Sequence, residues 1–380
     1  MSFGAAGVAY GMLRLAGARL QPELTATADA WLLRARRATA TADAFANEGM
    51  DVRPETIGPI SPYHTLSGVH LVGALLADAM ADGPAVDAGV EAFLDASAVP
   101  CSGRDVTLGR AGTALASLLA LEGLTQLGDE PRQGLRACAE ARVVQLWAEL
   151  PPAETVANSS SWPNLGVAHG WAGLLYVTLR WLASLEEPGA HPLAESVRSR
   201  LEELAGCAWP SGRGMALPWR DRPGPSETSM PGWCNGAAGL VHVGCEARRV
   251  LGDERYLELA ERAAWQAWES ESLAIDLCCG LGGRAYALLE LHRCGGGAAW
   301  RRKAERLALG AVRAAPEQRN AEHPRHSLLK GELGLALLCA DLERPEVAAM
   351  PFFGREPLAI HHGQGGIERP GSRSGLQEEP

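Results

Sequence analysis

The stretch "GWAGLLYVTLRWLASL", residues 170–185, decides the fold. It opens with the pattern Gly-x-x-Gly, and paired glycines permit a tight turn and a close approach of backbones. The residues that follow are apolar nearly all round, which is typical of a helix buried on every side. The stretch therefore predicts a glycine-rich turn that leads directly into a buried helix.

This combination of turn and apolar run occurs seven times along the chain. The copies begin at Gly4, Thr65, Gly109, Gly170, Gly236, Gly280 and Gly331, and Thr65 takes the place of the first glycine in copy two. Between them lie amphipathic segments with charged faces, among them 24–45, 134–150, 193–206 and 255–270. Such segments are typical of outer helices. The sequence thus predicts that buried and outer helices alternate about seven times.

The spacing of the copies distinguishes an open array from a closed ring. Successive copies start 44 to 66 residues apart, whereas regular solenoids keep a nearly constant period. We therefore predict an all-α chain over 1–353, an α/α toroid of seven inner helices ringed by outer helices. The Gly-, Pro- and charge-rich residues 354–380 predict a disordered tail, in which the pair 361–362, His-His, is interpreted as unrelated to metal binding.

Composition narrows the class of protein. The chain has 380 residues, 47% of them hydrophobic, and a formal charge of −10. This is enough for a sizeable core, and the acidic balance argues against non-specific nucleic-acid binding. No uncharged apolar run reaches about 18 residues, so no membrane span is expected. Nine cysteines without a secretory signal are typical of reduced thiols, and we expect a cytoplasmic protein.

The turns differ in the residues that precede the glycine. Copy five carries Cys234, and copy six carries Cys278 and Cys279. Adjacent repeats are neighbours in a ring, so these thiols are expected to meet at one rim. Three thiolates with an open fourth position describe a catalytic zinc site. The alternative is that they are ordinary core cysteines, since cysteine is among the most buried residue types.

Two further turn residues are candidates for catalysis. His169 precedes the glycine of copy four, where an acid or base would face the same rim, although a buried histidine often only satisfies hydrogen bonds. Asp105 lies in the turn of copy three and is either part of the site or a turn cap. The segment 209–232 predicts a long Pro- and Gly-rich loop that covers the rim or contacts a peptide.

Three of these turns together resemble a known family. "GVAHGWAG" (166–173), "GWCNGAAG" (232–239) and "DLCCGLGG" (276–283), in this order, resemble the motifs of the LanC-like lanthionine cyclases. The Cys-Cys-Gly variant is similar to the cyclase domains of class II and class IV lanthipeptide synthetases. The resemblance covers nearly the whole chain and implies an α/α toroid.

The resemblance also implies an activity. Such enzymes add a peptide Cys thiolate to dehydroalanine or dehydrobutyrine in a dehydrated ribosomal precursor peptide, which gives a thioether ring. It implies Zn²⁺ held by Cys234, Cys278 and Cys279, with His169 as acid or base and Asp105 matching the family's "DV-x-x-G" stretch. A separate dehydratase or kinase–lyase component is a further partner that it implies.

The chain departs from the family pattern at three places. Cys-Cys replaces the more common Cys-His, Met230 stands where some members have Arg, and Asn235 stands where others have Tyr or His. No kinase or lyase domain precedes copy one, so we expect a stand-alone cyclase, a split partner or a fragment of a longer protein.

Two other functions compete with this one. A non-catalytic LanC-like scaffold would bind a precursor peptide or a synthetase partner without needing the three thiols, and their presence favours the enzyme. A glycosidase on an α/α barrel would need paired carboxylates at the rim. The sequence offers Asp105 and Asp276 there but no convincing acid/base pair.

Overall fold

A computed structural model of the chain describes residues 1–41, 44–46, 52–53, 56–151, 153–220, 229–271, 274–318 and 325–356. Across these ranges the chain forms thirteen α-helices and one short β-hairpin. The helices are α1 (Ala5–Arg19), α2 (Glu23–Ala38), α3 (Leu66–Ala79), α4 (Gly83–Ser97), α5 (Arg110–Gly123), α6 (Asp129–Ala148), α7 (Trp171–Leu182), α8 (Pro192–Gly206), α9 (Ala237–Leu251), α10 (Arg255–Glu269), α11 (Leu281–Leu291), α12 (Ala298–Ala314) and α13 (Glu332–Asp341). None of the helices in these ranges is long and apolar enough to cross a membrane.

The odd-numbered helices are the seven predicted inner helices. Each begins one residue after the start of a Gly-x-x-Gly copy, and in α7 all twelve residues are buried. The second glycine is required by contact with the preceding turn: a Cβ on Gly173 would lie 2.2 Å from the Val167 carbonyl oxygen. Each inner helix thus starts where small residues let the preceding turn pack closely on its first turn. The prediction of seven inner helices is confirmed.

The even-numbered helices form the outer layer and bury one face each. In α10 the buried residues Tyr256, Leu259, Ala260, Ala263, Ala264 and Ala267 follow the helical period. The predicted helix over 24–45 is too long, because α2 ends at Ala38. The hydroxyls of Thr39 and Thr41 donate to the carbonyls of Arg36 and Ala38, a local bonding pattern that competes with continued helix.

The described residues contain six outer helices rather than the seven that strict alternation would give. After α13 the chain turns into the barrel instead of running along its outside. Phe353 is fully buried there. Its ring stacks on Tyr176 at 4.2 Å and meets Trp233 edge-on at 5.1 Å between ring centroids. Residues 348–354 are all buried, so this part of the described chain packs inside the ring rather than as an outer helix.

The seven turns are joined to one another in a closed circle of hydrogen bonds. Ser61 Oγ donates to the Thr107 carbonyl at 2.5 Å, and the other links are backbone bonds: Ser2 N to Tyr63 O, 2.9 Å; Val106 N to Ala168 O, 3.1 Å; Ala168 N to Cys234 O, 2.9 Å; Cys234 N to Cys278 O, 3.1 Å; Cys278 N to Leu329 O, 3.2 Å; Leu329 N to Ser2 O, 3.2 Å. The last link joins copy seven to copy one. The chain is therefore a closed α/α toroid, as predicted.

The segment 209–232 is not simply a loop. Its first part forms a hairpin of β1 (Trp209–Ser211) and β2 (Gly214–Ala216), antiparallel and packed on α10. The Trp219 carbonyl then accepts a bond from the Leu165 amide at 2.9 Å, in the turn of copy four. Residues 221–228 lie outside the described ranges. That the segment contacts a peptide stays a prediction.

The predicted tail, 354–380, lies outside the described ranges from residue 357 onward, including His361 and His362. Arg355 and Glu356 are described, and the Glu356 carboxylate is buried against Arg14 at 2.5 Å. The boundary between toroid and tail stays a prediction.

Candidate metal centre

Three cysteines meet at the rim where the turns of copies five and six adjoin. Cys234 lies in the turn before α9, and Cys278 and Cys279 lie in the turn before α11. The Cys279 sulfur lies 3.4 Å from that of Cys234 and 3.4 Å from that of Cys278. All three sulfurs lie within 4.8 Å of one another. The convergence expected from equivalent positions in adjacent repeats is found.

A glycine makes this approach possible. A Cβ on Gly232 would lie 2.6 Å from the Cys279 Cα, so any larger residue would push the two cysteine-bearing turns apart. The Cys234 amide donates to the Cys278 carbonyl at 3.1 Å and fixes the register between them. In the local sequence "GWCNG", the first glycine leaves room for the turn of copy six, and the cysteine amide binds to that turn. Together they place Cys234 beside Cys278 and Cys279.

The donor set suits zinc. Tetrahedral zinc with Zn–S bonds of about 2.3 Å holds its sulfurs about 3.8 Å apart, close to the separations observed here. Thiolates are soft ligands of the kind that zinc accepts. Among the described residues no fourth His, Cys, Asp or Glu joins this group, and all nine cysteines are free thiols. The residues present fit a three-ligand zinc site.

The three sulfurs differ in acidity. Hydrogen bonds with Cys234 and Cys278 hold the pKa of Cys279 well below its usual range against the opposing effect of burial, and the Lys330 ammonium adds to the lowering. Hydrogen bonds with Cys234 and Cys279, together with burial, raise the pKa of Cys278. The cluster's first negative charge is therefore centred on Cys279.

A histidine lies on the adjoining turn. His169 precedes α7, and the neighbouring Ala168 amide donates to the Cys234 carbonyl. Its Nδ1 lies 3.0 Å from an Asp105 carboxylate oxygen and 3.1 Å from the Thr107 hydroxyl. The side chain is 33% exposed, and within the described ranges these contacts engage only Nδ1. Nε2 is therefore the nitrogen available for proton exchange.

Asp105 makes two kinds of contact, one within its own turn and one with His169. One carboxylate oxygen accepts a bond from the Leu108 amide at 2.5 Å and so caps its own turn. The other oxygen contacts His169 across the repeat boundary. Asp276 is engaged instead by Lys330, at 3.6 Å. Each carboxylate has a different basic partner, so these two aspartates, the candidates that the sequence offered, do not form the acid pair that a glycosidase needs.

Lys330 is the rim residue that sequence reasoning missed. Its Nζ donates to the Cys279 sulfur at 3.1 Å. It directly precedes the repeat glycine of copy seven, as His169 and Cys279 precede those of copies four and six. The position directly before the repeat glycine is the sequence signal by which Lys330 could have been found. In copy five the same position holds Asn235, so no cationic or phenolic group follows Cys234 there.

Comparison with known proteins agrees with the architecture. The family described as "lanthionine synthetase C-like protein" matches residues 1–354. Among solved structures, nisin cyclase aligns with a TM-score of 0.66 at 15% sequence identity, over 95% of this chain and 91% of that one. At this level of identity the likeness shows the fold.

Two curated relatives match about half of the chain. LanC-like protein GCL1 of Arabidopsis thaliana is 28% identical over 193 residues, which cover 49% of this chain and 42% of that protein. The protein named glutathione S-transferase LANCL1 of Danio rerio is 25% identical over 195 residues, which cover 50% of this chain and 45% of that protein. The matched region thus spans less than half the length of either relative.

Proposed function

The chain belongs to the lanthionine synthetase C-like family, and from this premise we propose that it is a zinc-dependent lanthionine cyclase. It adds peptide Cys thiolates to dehydroalanine or dehydrobutyrine in a dehydrated ribosomal precursor peptide. The observation that carries the proposal is the meeting of a three-thiol cluster with a histidine–aspartate pair on adjoining turns of one rim. A separate dehydratase or kinase–lyase component would supply the dehydrated peptide.

Cys234, Cys278 and Cys279 are the proposed zinc ligands. Bound zinc would keep the incoming peptide sulfur ionised, which is the nucleophilic form of a thiol. With three thiolates around it, Zn²⁺ carries a net charge of −1, and a sulfur held by so electron-rich a site should remain reactive. The thiol environment described above, and not the overall resemblance alone, supports this assignment.

His169 is the proposed proton carrier. In the addition a C–S bond forms at the β-carbon, the C=C π electrons move toward the neighbouring carbonyl, and the α-carbon then takes up a proton. The thiol loses one proton and the α-carbon gains one, so a single imidazole that exchanges a proton at Nε2 balances the reaction. Asp105 holds Nδ1 and thereby fixes the ring and its tautomer.

The test uses a synthetic peptide with one dehydroalanine and one Cys. Ring formation leaves the mass unchanged, so unreacted thiol is alkylated with iodoacetamide and the products are counted by mass spectrometry. The purified protein should hold about one zinc per chain and consume the thiol. Cys278→Ala should lose most of the zinc and the activity, whereas the matched control Cys138→Ala, outside the cluster, should keep both.

Two outcomes would contradict the assignment. Full zinc retention by Cys278→Ala would remove that residue from the ligand set. Zinc binding by the wild type without any loss of peptide thiol would favour the non-catalytic scaffold.

A second candidate is addition of glutathione to the dehydroamino acid. One relative is named a glutathione S-transferase, and glutathione presents the same thiol chemistry to the same cluster. The assay separates the two functions when glutathione is offered with a dehydroalanine peptide that lacks Cys. A gain in mass equal to glutathione would report this activity, and an unchanged mass would exclude it for that peptide.

A further inference from the structure

The rim contains two aspartates in equivalent positions. Asp105 and Asp276 each stand four residues before the glycine of their own copy. Each caps its own turn through Oδ1, which accepts a bond from the Leu108 amide at 2.5 Å in one case and from the Cys279 amide at 2.7 Å in the other. The two turns are therefore built alike.

Each aspartate also reaches the basic side chain that precedes the glycine of the next copy. Asp105 contacts His169 Nδ1 at 3.0 Å, and Asp276 contacts Lys330 Nζ at 3.6 Å. Copies three and four thus present one acid–base pair, and copies six and seven present a second at the equivalent positions of the repeat. The first pair belongs to the proposed proton carrier, whereas the second has no role in the mechanism so far.

The second pair touches the thiol cluster itself. Lys330 Nζ donates to the Cys279 sulfur at 3.1 Å, and the side chains of Lys330 and Asp276 are only 11% and 12% exposed. Both residues also line a cavity of about 520 Å³ that none of the three cysteines lines. Lys330 therefore contacts the thiol cluster and also borders a neighbouring cavity.

The choice of lysine is unusual for this chain. Of its 35 basic residues only two are lysines, Lys303 and Lys330. Lysine presents a compact point charge, whereas arginine presents a wide planar fork suited to carboxylates. A compact ammonium group can contact a single sulfur atom, that of Cys279, and a single carboxylate, that of Asp276.

We propose that Lys330, positioned by Asp276, balances the charge of the zinc–thiolate cluster and thereby favours binding of a substrate thiolate as the fourth ligand. This inference rests on the proposed zinc-dependent function. Zn²⁺ with three thiolates has a net charge of −1, and a substrate thiolate would bring it to −2. The Lys330 ammonium, 3.1 Å from the Cys279 sulfur, offsets one of these charges at the site, whereas the Asp276 carboxylate lies farther from the ammonium, at 3.6 Å from Nζ. Lys330 is a positioning residue for the nucleophile and does not itself exchange a proton with it.

The test measures thiolate binding without turnover. Cobalt(II)-substituted full-length protein is titrated with N-acetylcysteine, and the thiolate-to-cobalt absorption reports occupancy of the fourth position. Lys330→Met should keep about one cobalt per chain but bind N-acetylcysteine about 10-fold more weakly, since it has lost a nearby positive charge. Lys330→Arg should recover part of the affinity, and Lys303→Met should match the wild type.

A second measurement covers the case in which Lys330→Met fails to fold. Protein labelled with ¹³C-lysine should show only two Cε signals, and Lys303→Met assigns them. Zinc added to the metal-free wild type should shift the Lys330 signal and leave that of Lys303 in place. An unmoved Lys330 signal, or wild-type N-acetylcysteine affinity in a cobalt-loaded Lys330→Met, would overturn the proposal.

Failure of the proposed function is visible separately. A wild type that binds cobalt and N-acetylcysteine but does not cyclise peptide would reject the cyclase and leave the role of Lys330 standing. A wild type that binds neither zinc nor cobalt would reject both.

Discussion

Side chains at the rim are held by contacts from neighbouring repeats. His169 is an example, because these contacts leave one of its two ring nitrogens free of them. Its ring is fixed through Nδ1 by Asp105 and Thr107, and its backbone carbonyl accepts a bond from the Trp162 indole at 2.9 Å. None of these contacts involves a thiol of the cluster. The proposed proton transfer and the proposed metal binding should therefore be separable by mutation.

His169→Ala should keep its zinc and slow cyclisation by about 10²- to 10⁴-fold, the usual contribution of a positioned acid or base. Zinc content is measured by elemental analysis and cyclisation by alkylation and mass spectrometry. The control is His292→Ala, a half-buried histidine after α11 whose Nδ1 lies 3.2 Å from the Gly297 carbonyl oxygen. An unchanged rate and product pattern in His169→Ala would return this histidine to a structural role.

His242 is a titrating residue inside the barrel. Burial lowers its pKa from 6.5 to about 4; its ring lies edge-on to Phe353, and its Nε2 has no partner among the described residues. Its charged neighbours are Glu290, Arg293, Arg249 and Glu246. The unfolded chain binds a proton at this histidine more readily than the folded chain does. The contribution of neutral His242 to the free energy of unfolding is therefore fully present above about pH 6.5. That contribution falls as the pH drops toward 4, by about 3 kcal/mol in all.

His242→Leu should therefore flatten this part of the pH dependence. Urea unfolding at pH 7 and pH 4.5 measures the free energy of unfolding for the wild type, for His242→Leu and for the half-buried control His292→Leu. The control should keep the wild-type slope. An equally steep loss of stability in His242→Leu would show that other groups titrate in this window.

Whole elements begin where a turn is tight enough to need glycine. Gly173→Ala places a methyl group 2.2 Å from the Val167 carbonyl oxygen, so the first turn of α7 has to shift. We expect a loss of about 1–3 kcal/mol in the free energy of unfolding, typical of overpacking. Gly189→Ala is the control, since nothing lies within 4 Å of the added atom. Equal stability of the two variants in urea would contradict the steric account.

This steric requirement also explains which parts of the fold could be predicted from the sequence. The starts of all seven inner helices were predictable, because each turn needs small residues at fixed spacing. Helix ends were not, and α2 stops at Ala38 because two threonine hydroxyls take over its last carbonyls. The hairpin of β1 and β2 was missed because its strands have three residues each, too few to show alternation.

At the scale of the whole molecule, the candidate metal site is a product of the packing of neighbouring repeats rather than of any one segment. The three cysteines were predictable from equivalent repeat positions. Lys330 also stands directly before a repeat glycine, but its contact with Cys279 across 51 residues of chain was not predicted, because the packing of copy seven against copy six creates it. Phe353 was missed for a similar reason: its partners, among them Tyr176 and Trp233, come from repeats distant in sequence.

The circle of hydrogen-bonded turns governs how the protein gains and loses its structure. An open array of repeats frays from its ends, since a terminal repeat has one neighbour only. Here the Ser327 hydroxyl donates to the Ser2 carbonyl across 325 residues of chain, so copy seven and copy one are each other's neighbours. That contact stabilises the chain only if it offsets the entropic cost of closing a very long loop. Formation and loss of the ring should therefore be cooperative events of the whole circle, with no end from which unfolding can spread one repeat at a time.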